Sequence, residues 1–327
     1  MTSGTIIPQK APEVAPLAKK VPVVIVVIGM AGSGKTTFVH RLYLHLQSIG
    51  KRVYSINMDP AVNKVPYPTN IDIRDTVDYR KVMKDFVLGP NGAMITSLNL
   101  FATKFDQVIE LVEKRASEFD FVIVDTPGQI EVFNWSASGQ IILDALAVSF
   151  PLVTAYVTDT ARCRNPTTFM SNMTYACSIM YKTKLPFVLV FNKTDVVPCE
   201  FAQEWMTDFD SFLEALKPAE SGYMATLSRS LCLAMEEFYN QLRSCGVSSL
   251  TGAGMPEFMD NIALGVKEYT EAYVPYLEHQ RSEMKKKRDS HAARELDRIQ
   301  TAKPQEDEDE EEEMAELEKI RQLIRNR

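Results

Sequence analysis

An unbroken apolar run at residues 21–28 leads straight into Gly29-Met30-Ala31-Gly32-Ser33-Gly34-Lys35-Thr36, and a helical pattern follows over 35–49. Few sequence features restrict a fold more. The run is far shorter than the roughly 20 residues a helix needs to span a bilayer. It suits a parallel strand buried on both faces. The eight residues after it match GxxxxGK[ST], the phosphate-cradling P-loop, in the strand-then-helix context that the motif requires. Glycines let the backbone wrap a polyphosphate without Cβ clashes. Amide groups of Gly29, Gly32, Ser33 and Gly34 and the helix N-terminus, with Thr37 beside it, then face the anion. Lys35 is expected at the β- and γ-phosphates, and the Thr36 hydroxyl on Mg2+.

Two further motifs follow in order. Asp125-Thr126-Pro127-Gly128 comes directly after the apolar run 121–124. A carboxylate at a strand's end is placed to hold the metal, and the Gly128 amide to sense the γ-phosphate. Gln129 and Glu131 come next and are candidates to orient an attacking water; the bland alternative is ordinary loop polarity. Asn192-Lys193-Thr194-Asp195 follows the run 186–191 and matches NKxD. The Asp195 carboxylate accepts from both N1–H and the 2-amino group of guanine. Adenine offers neither donor, and a site that pairs a polar group rejects the analogue lacking it. Asn192 is expected to bond the base edge or to brace neighbouring loops, and the Lys193 stem to cover the base plane. Val247-Ser248-Ser249, with Gly252, sits where a further loop would reach the base. Asp59, in Asn57-Met58-Asp59-Pro60, is a candidate for positioning the lytic water or the metal's water shell, against a plain Asp-Pro turn.

Apolar strands at 21–28, 52–57, 121–124, 152–158, 186–191 and 247–249 alternate with helical patterns at 35–49, 78–87, 97–119, 136–149, 166–181, 200–216, 224–245 and 255–273. The expected fold class is α/β: a P-loop NTPase with a mainly parallel sheet, helices on both faces and helical insertions. Residues 1–20 read as a flexible leader without an apolar signal core, 21–276 as the catalytic domain, and 277–327 as a charged, partly helical or disordered tail. The tail holds the basic run Lys285-Lys286-Lys287-Arg288 and an acidic run over 306–313. Both are solvated surface in the bland reading; the basic run also resembles a short nuclear-import signal. A formal charge of −7 argues against a general nucleic-acid binder. Five cysteines show no metal spacing and read as reduced thiols, and His40 and His45 lack the partners a zinc site needs.

Read alone, Gly89-Pro90-Asn91 is a turn. Taken with Gly29–Thr36, Asp59-Pro60, Asp125–Gln129 and Asn192–Asp195 in this order, it resembles the GPN-loop GTPases. The runs Asn70-Ile71-Asp72-Ile73-Arg74-Asp75-Thr76-Val77, Ser97-Leu98-Asn99-Leu100-Phe101-Ala102-Thr103 and Phe133-Asn134-Trp135-Ser136-Ala137-Ser138-Gly139 are similar to that family too, so the likeness covers about residues 21–275. It implies GTP and GDP as ligands with Mg2+. It implies a homodimer, or a heterodimer with a paralogous member, in which Asn91 reaches the partner's phosphate site. It ties Asp59, Gln129 and Glu131 to water positioning. It further implies a protein of the cytoplasm that shuttles to the nucleus, acting in RNA polymerase II assembly and import with polymerase subunits and chaperones as partners. No direct nucleic-acid or membrane contact is expected. Arg74 and Arg164 are candidates for an arginine finger. Two competing readings are a GTP-binding scaffold without useful hydrolysis and an ATP-using small-molecule kinase, which NKxD opposes.

Overall fold

The computed structural model describes residues 21–216, 227, 230–231, 235–291 and 293–294. The leader expected over 1–20, the acidic run over 306–313 and part of the helix expected over 224–245 lie outside the described residues. The strands are β1 (Val23–Gly29), β2 (Val53–Asn57), β3 (Ile71–Asp72), β4 (Phe121–Asp125), β5 (Leu152–Asp159), β6 (Phe187–Asn192) and β7 (Arg243–Val247). They form one sheet in the order β3-β2-β4-β1-β5-β6-β7, parallel at each pairing. The helices are α1 (Lys35–Ser48), α2 (Ile73–Thr76), α3 (Tyr79–Asp85), α4 (Pro90–Ala102), α5 (Phe105–Lys114), α6 (Ile130–Asn134), α7 (Ala137–Ser149), α8 (Thr160–Cys163), α9 (Pro166–Thr183), α10 (Glu200–Thr207), α11 (Phe209–Leu216), α12 (Glu236–Gln241) and α13 (Met255–Glu268).

The Val- and Ile-rich central strands are buried on both faces, which is why they read as continuous apolar runs. On one face, Ile25, Val27, Ile123, Val153 and Val190 pack under Phe38 and Leu42 of α1 and Phe258 and Ile262 of α13. Phe38 and Phe258 meet edge to face at 5.1 Å, and successive residues of each strand point to the opposite face. Because every strand runs the same way, Gly29, Asn57, Asp125, Asp159, Asn192 and Val247 all end at one edge of the sheet. Ligands of open α/β sheets bind outside that edge.

Several boundaries differ from the sequence pattern. The helix expected over 97–119 is α4 and α5, and α4 begins at Pro90, so Pro90 and Asn91 open a helix with Gly89 as its cap. Proline suits a first helical position because the amide it lacks would have no partner there. The helix over 200–216 breaks at Asp208, whose carboxylate accepts from Asp210 N at 3.0 Å and starts a new helix. The strand expected at 247–249 is β7, ending at Val247, so residues 243–245 are strand rather than helix. Gly246 allows this: a Cβ there would stand 2.3 Å from Cys199 Sγ. The short elements β3, α2, α6 and α8 carry too few residues to show a period.

The chain divides into two units between Tyr273 and Val274. In the second, residues 274–291 are helical and mostly exposed, and this helix carries Lys285–Arg288. Among the described residues no helix is long and apolar enough to cross a membrane.

Candidate active site

The phosphate end is built by the turn from β1 into α1. Gly34 has φ +91°, in the left-handed region that favours glycine, and a Cβ there would stand 2.7 Å from Asn192 Nδ2. Lys35 is buried, and its ammonium donates to Gly29 O at 2.8 Å, Met30 O at 3.0 Å and Gly128 O at 3.2 Å. Burial pulls its pKa down from the ordinary lysine value, while Asp125, Asp59 and Glu131 pull it back up. A cation so placed, beside the α1 N-terminus, is suited to a polyphosphate. Thr36 and Thr37 are the next residues of that first turn.

Asp125 closes β4, 1% exposed. Its Oδ2 accepts from Tyr67 Oη at 2.9 Å. Its Oδ1 is buried and has no hydrogen-bond partner, as is true of Ser33 Oγ in the phosphate turn. Burial raises the Asp125 pKa to about 6, against the opposing pull of the Tyr67 hydroxyl, Thr36 hydroxyl and Lys35 ammonium. A desolvated carboxylate oxygen without a donor, with the Thr36 hydroxyl beside it, is a fitting pair of hard oxygen ligands for Mg2+. That ion commonly takes only one or two protein groups and fills its shell with water and substrate phosphate. Among the described residues no cluster of three or more His, Cys, Asp or Glu side chains is placed to hold a metal.

Asp59 lies beyond β2, and its Oδ2 accepts from the Gly128 amide at 3.2 Å. Its Oδ1 accepts from Ala61 N at 2.9 Å. The residue offered for water positioning therefore touches the amide offered for sensing the γ-phosphate. Gln129 Nε2 donates to Asn91 Oδ1 of the same chain at 3.0 Å. Glu131 stands exposed in the first turn of α6. Of Gly89, Pro90 and Asn91, it is Asn91 that is thus brought to the 125–131 loop within one chain.

Where the base is expected, Asn192 is bonded to neighbouring loops. It is 1% exposed, its Nδ2 donates to Ser33 O at 2.9 Å, and its Oδ1 accepts from Ser249 Oγ at 2.7 Å and Ser249 N at 3.2 Å. It braces three loops, with both Oδ1 bonds and one of its two Nδ2 hydrogens committed to them. Lys193 donates to Gly32 O at 3.0 Å and to Asp159 Oδ2 at 2.6 Å. Asp195 is exposed, and Ser248 Oγ donates to its Oδ1 at 2.6 Å. The 247–252 loop is therefore in contact with the base motif.

Several residues at the site carry no motif. Tyr67 sits between Pro66 and Pro68 in the polar stretch; an aromatic pinned by two prolines was its one sequence signal. Asp159 ends β5, where any carboxylate at a parallel strand's end merits notice. Arg162, rather than Arg164, reaches the phosphate turn, with Nη1 3.4 Å from Ala31 O. Arg74 is bonded to Asp72 at 2.6 Å and to the carbonyls of Val62 and Asn63. Arg164 caps the C-terminus of α8.

The chain is similar to known proteins in sequence and fold. A family model described as "Conserved hypothetical ATP binding protein" matches residues 27–268. A Dictyostelium discoideum protein named GPN-loop GTPase 1 is 58% identical over 259 residues, covering 79% of this chain and 65% of that protein. The match thus spans slightly less than two thirds of that relative's length. A Schizosaccharomyces pombe protein of the same name is 53% identical over 268 residues, covering 80% of this chain and 73% of its own. The crystal structure of a Pyrococcus abyssi GTPase in apo form superposes with a TM-score of 0.65 at 25% identity, covering 76% of this chain and 98% of that one.

Proposed function

Because the chain belongs to the GPN-loop GTPase family, we propose that it binds GTP with Mg2+ and hydrolyses the γ-phosphate. The observation that carries this is the convergence, at one sheet edge, of the Lys35 cradle, the partnerless Asp125 Oδ1 and the Ser248-held Asp195. The family model's description names ATP. Asp195 speaks for guanine: a carboxylate accepts from N1–H and the 2-amino group, while adenine would set its N1 lone pair against it. Thr36 and Asp125 would hold Mg2+, which when bound neutralises phosphate charge. Lys35 supplies a positive charge to the β- and γ-phosphates, and the helix N-terminus adds amide donors. A γ-phosphate oxygen that takes the Gly128 amide displaces Asp59 Oδ2, because one N–H serves one strong acceptor. Asp59 is then released to orient water, with Gln129 and Glu131 near the same loop.

The finer reading is a GTP-driven switch in RNA polymerase II assembly and nuclear import, in a homodimer or a heterodimer with a paralogous member, moving between cytoplasm and nucleus. Family resemblance supports it, and for import the exposed Lys285–Arg288 run does. Deleting residues 278–327 and following localisation tests the import element; an unchanged distribution removes it. Nucleotide choice tests the central reading. Unlabelled GTP should displace labelled GTP far better than ATP or CTP does. Asp195→Asn should shift preference towards xanthine nucleotides, whose C2 carbonyl accepts from the new amide. Equal displacement by ATP would sink the guanine assignment.

A further inference from the structure

The loop that carries Asp59 is held at both ends by one ion pair that no motif marks. Arg74 donates to Asp72 through Nη2 at 2.6 Å and Nε at 2.9 Å. Its Nη1 reaches back to Val62 O at 3.1 Å and Asn63 O at 3.2 Å, on the far side of Asp59. Asp72 also accepts from Asn57 Nδ2 at 3.1 Å, in a buried contact. Asn57 in turn grips the backbone of Asp59, receiving its N–H on Oδ1 at 3.1 Å and donating from Nδ2 to its carbonyl at 3.3 Å.

The direction of control follows from charge. An asparagine side chain can be turned either way round at little cost in shape. Facing a carboxylate, only the Nδ2 group is tolerated, since Oδ1 would meet like charge. Asp72 therefore decides which end of Asn57 faces β3, and Asn57 Oδ1 is left to receive the Asp59 amide. The arginine side-chain bonds hold the Asp72 pKa below the ordinary carboxylate value despite burial. The two-residue strand β3 gives Asp72 a fixed place, Asn57 and Asp72 being paired in register.

We propose that Asp72 is a positioning residue for the hydrolytic reaction, acting through Asn57 to fix the Asp59 backbone and so the place of its carboxylate, which meets the Gly128 amide until the γ-phosphate takes that amide. The idea rests on the GTP-hydrolysis reading and assigns Asp72 no contact with nucleotide. Its test is Asp72→Ser in the full chain. Serine remains a good cap for α2, while its shorter side chain withdraws the carboxylate oxygen that accepts from Asn57 Nδ2, and an unfolding curve checks that the variant folds. Expected is a fall in kcat of about tenfold to a hundredfold, the scale of a slightly misplaced catalytic group, with nucleotide Kd unchanged. With 15N-glycine labelling, the Gly128 amide resonance should move and exchange faster with solvent. Asp59→Asn combined with Asp72→Ser should be no slower than Asp59→Asn alone, because both act on one group.

An unchanged kcat, losses that multiply in the double variant, or an undisturbed Gly128 amide would each overturn the proposal. A wild-type chain that binds GTP but does not hydrolyse it overturns the underlying reading, and the proposal with it.

Discussion

Asp125→Asn should make the ligand-free protein more stable at neutral pH while it removes metal-dependent nucleotide binding. The carboxylate is 1% exposed, one of its oxygens has no partner, and its pKa is raised to about 6 from the ordinary 3.8. Between those values the folded chain keeps a proton that the unfolded chain has released. The folded state binds more protons across that window, so stability falls as pH rises through it. At 1.36 kcal/mol per tenfold change in proton affinity, the gap costs the wild type about 3 kcal/mol above pH 6. Asparagine mimics the protonated acid and does not ionise. The variant should therefore match the wild type near pH 4 and exceed it by up to about 3 kcal/mol at pH 7. For a domain of this size that is about 6–12 °C in Tm. Paired unfolding curves at both pH values, in chelator and without nucleotide, measure it. Adding Mg2+ and GTP should reverse the order, since only the wild type gains binding energy. A stability difference that stays flat, or shrinks towards neutral pH, would refute the assignment of Asp125 as a carboxylate kept under strain for a cation.

Two further outcomes follow from the site. Gly34→Ala puts a Cβ 2.7 Å from Asn192 Nδ2 at φ +91° and should break the bond to Ser33 O. Left-handed strain and a lost buried bond together cost about 2–4 kcal/mol in a denaturation curve; a loss below about 0.5 kcal/mol would mean that the loops part freely. Gln129→Leu should retain GTP binding yet slow single-turnover phosphate release by about tenfold or more; unchanged release would take Gln129 out of the chemistry.

The motif residues were legible because each motif sits where a strand ends, and strands buried on both faces announce themselves as runs such as 21–28 and 186–191. Pairings across the sequence were not legible. Tyr67 meets Asp125 and Asn192 meets Ser33 and Ser249 only because separate loops converge at one edge. The helical role of Pro90-Asn91 was hidden because a Gly-Pro-Asn string reads locally as a turn, and only the residues packed after it extend it into α4. The bounds of β7 differ from the sequence pattern because Gly246 has weak strand preference, which its close fit under Cys199 overrides.

Residue type and spacing alone determined the parallel α/β class and marked Gly29–Thr36 and Asp195 as candidate phosphate and guanine contacts, since these depend on contiguous segments and on the chemistry of single side chains. Only the tertiary structure decided that Asn192 braces loops, that Arg74 is tied to Asp72, and that Asp59 shares the Gly128 amide. Each of those depends on which of several donors and acceptors is nearest once the strands are side by side. Distance between segments far apart in the chain is fixed by packing, and a linear sequence carries no direct measure of it.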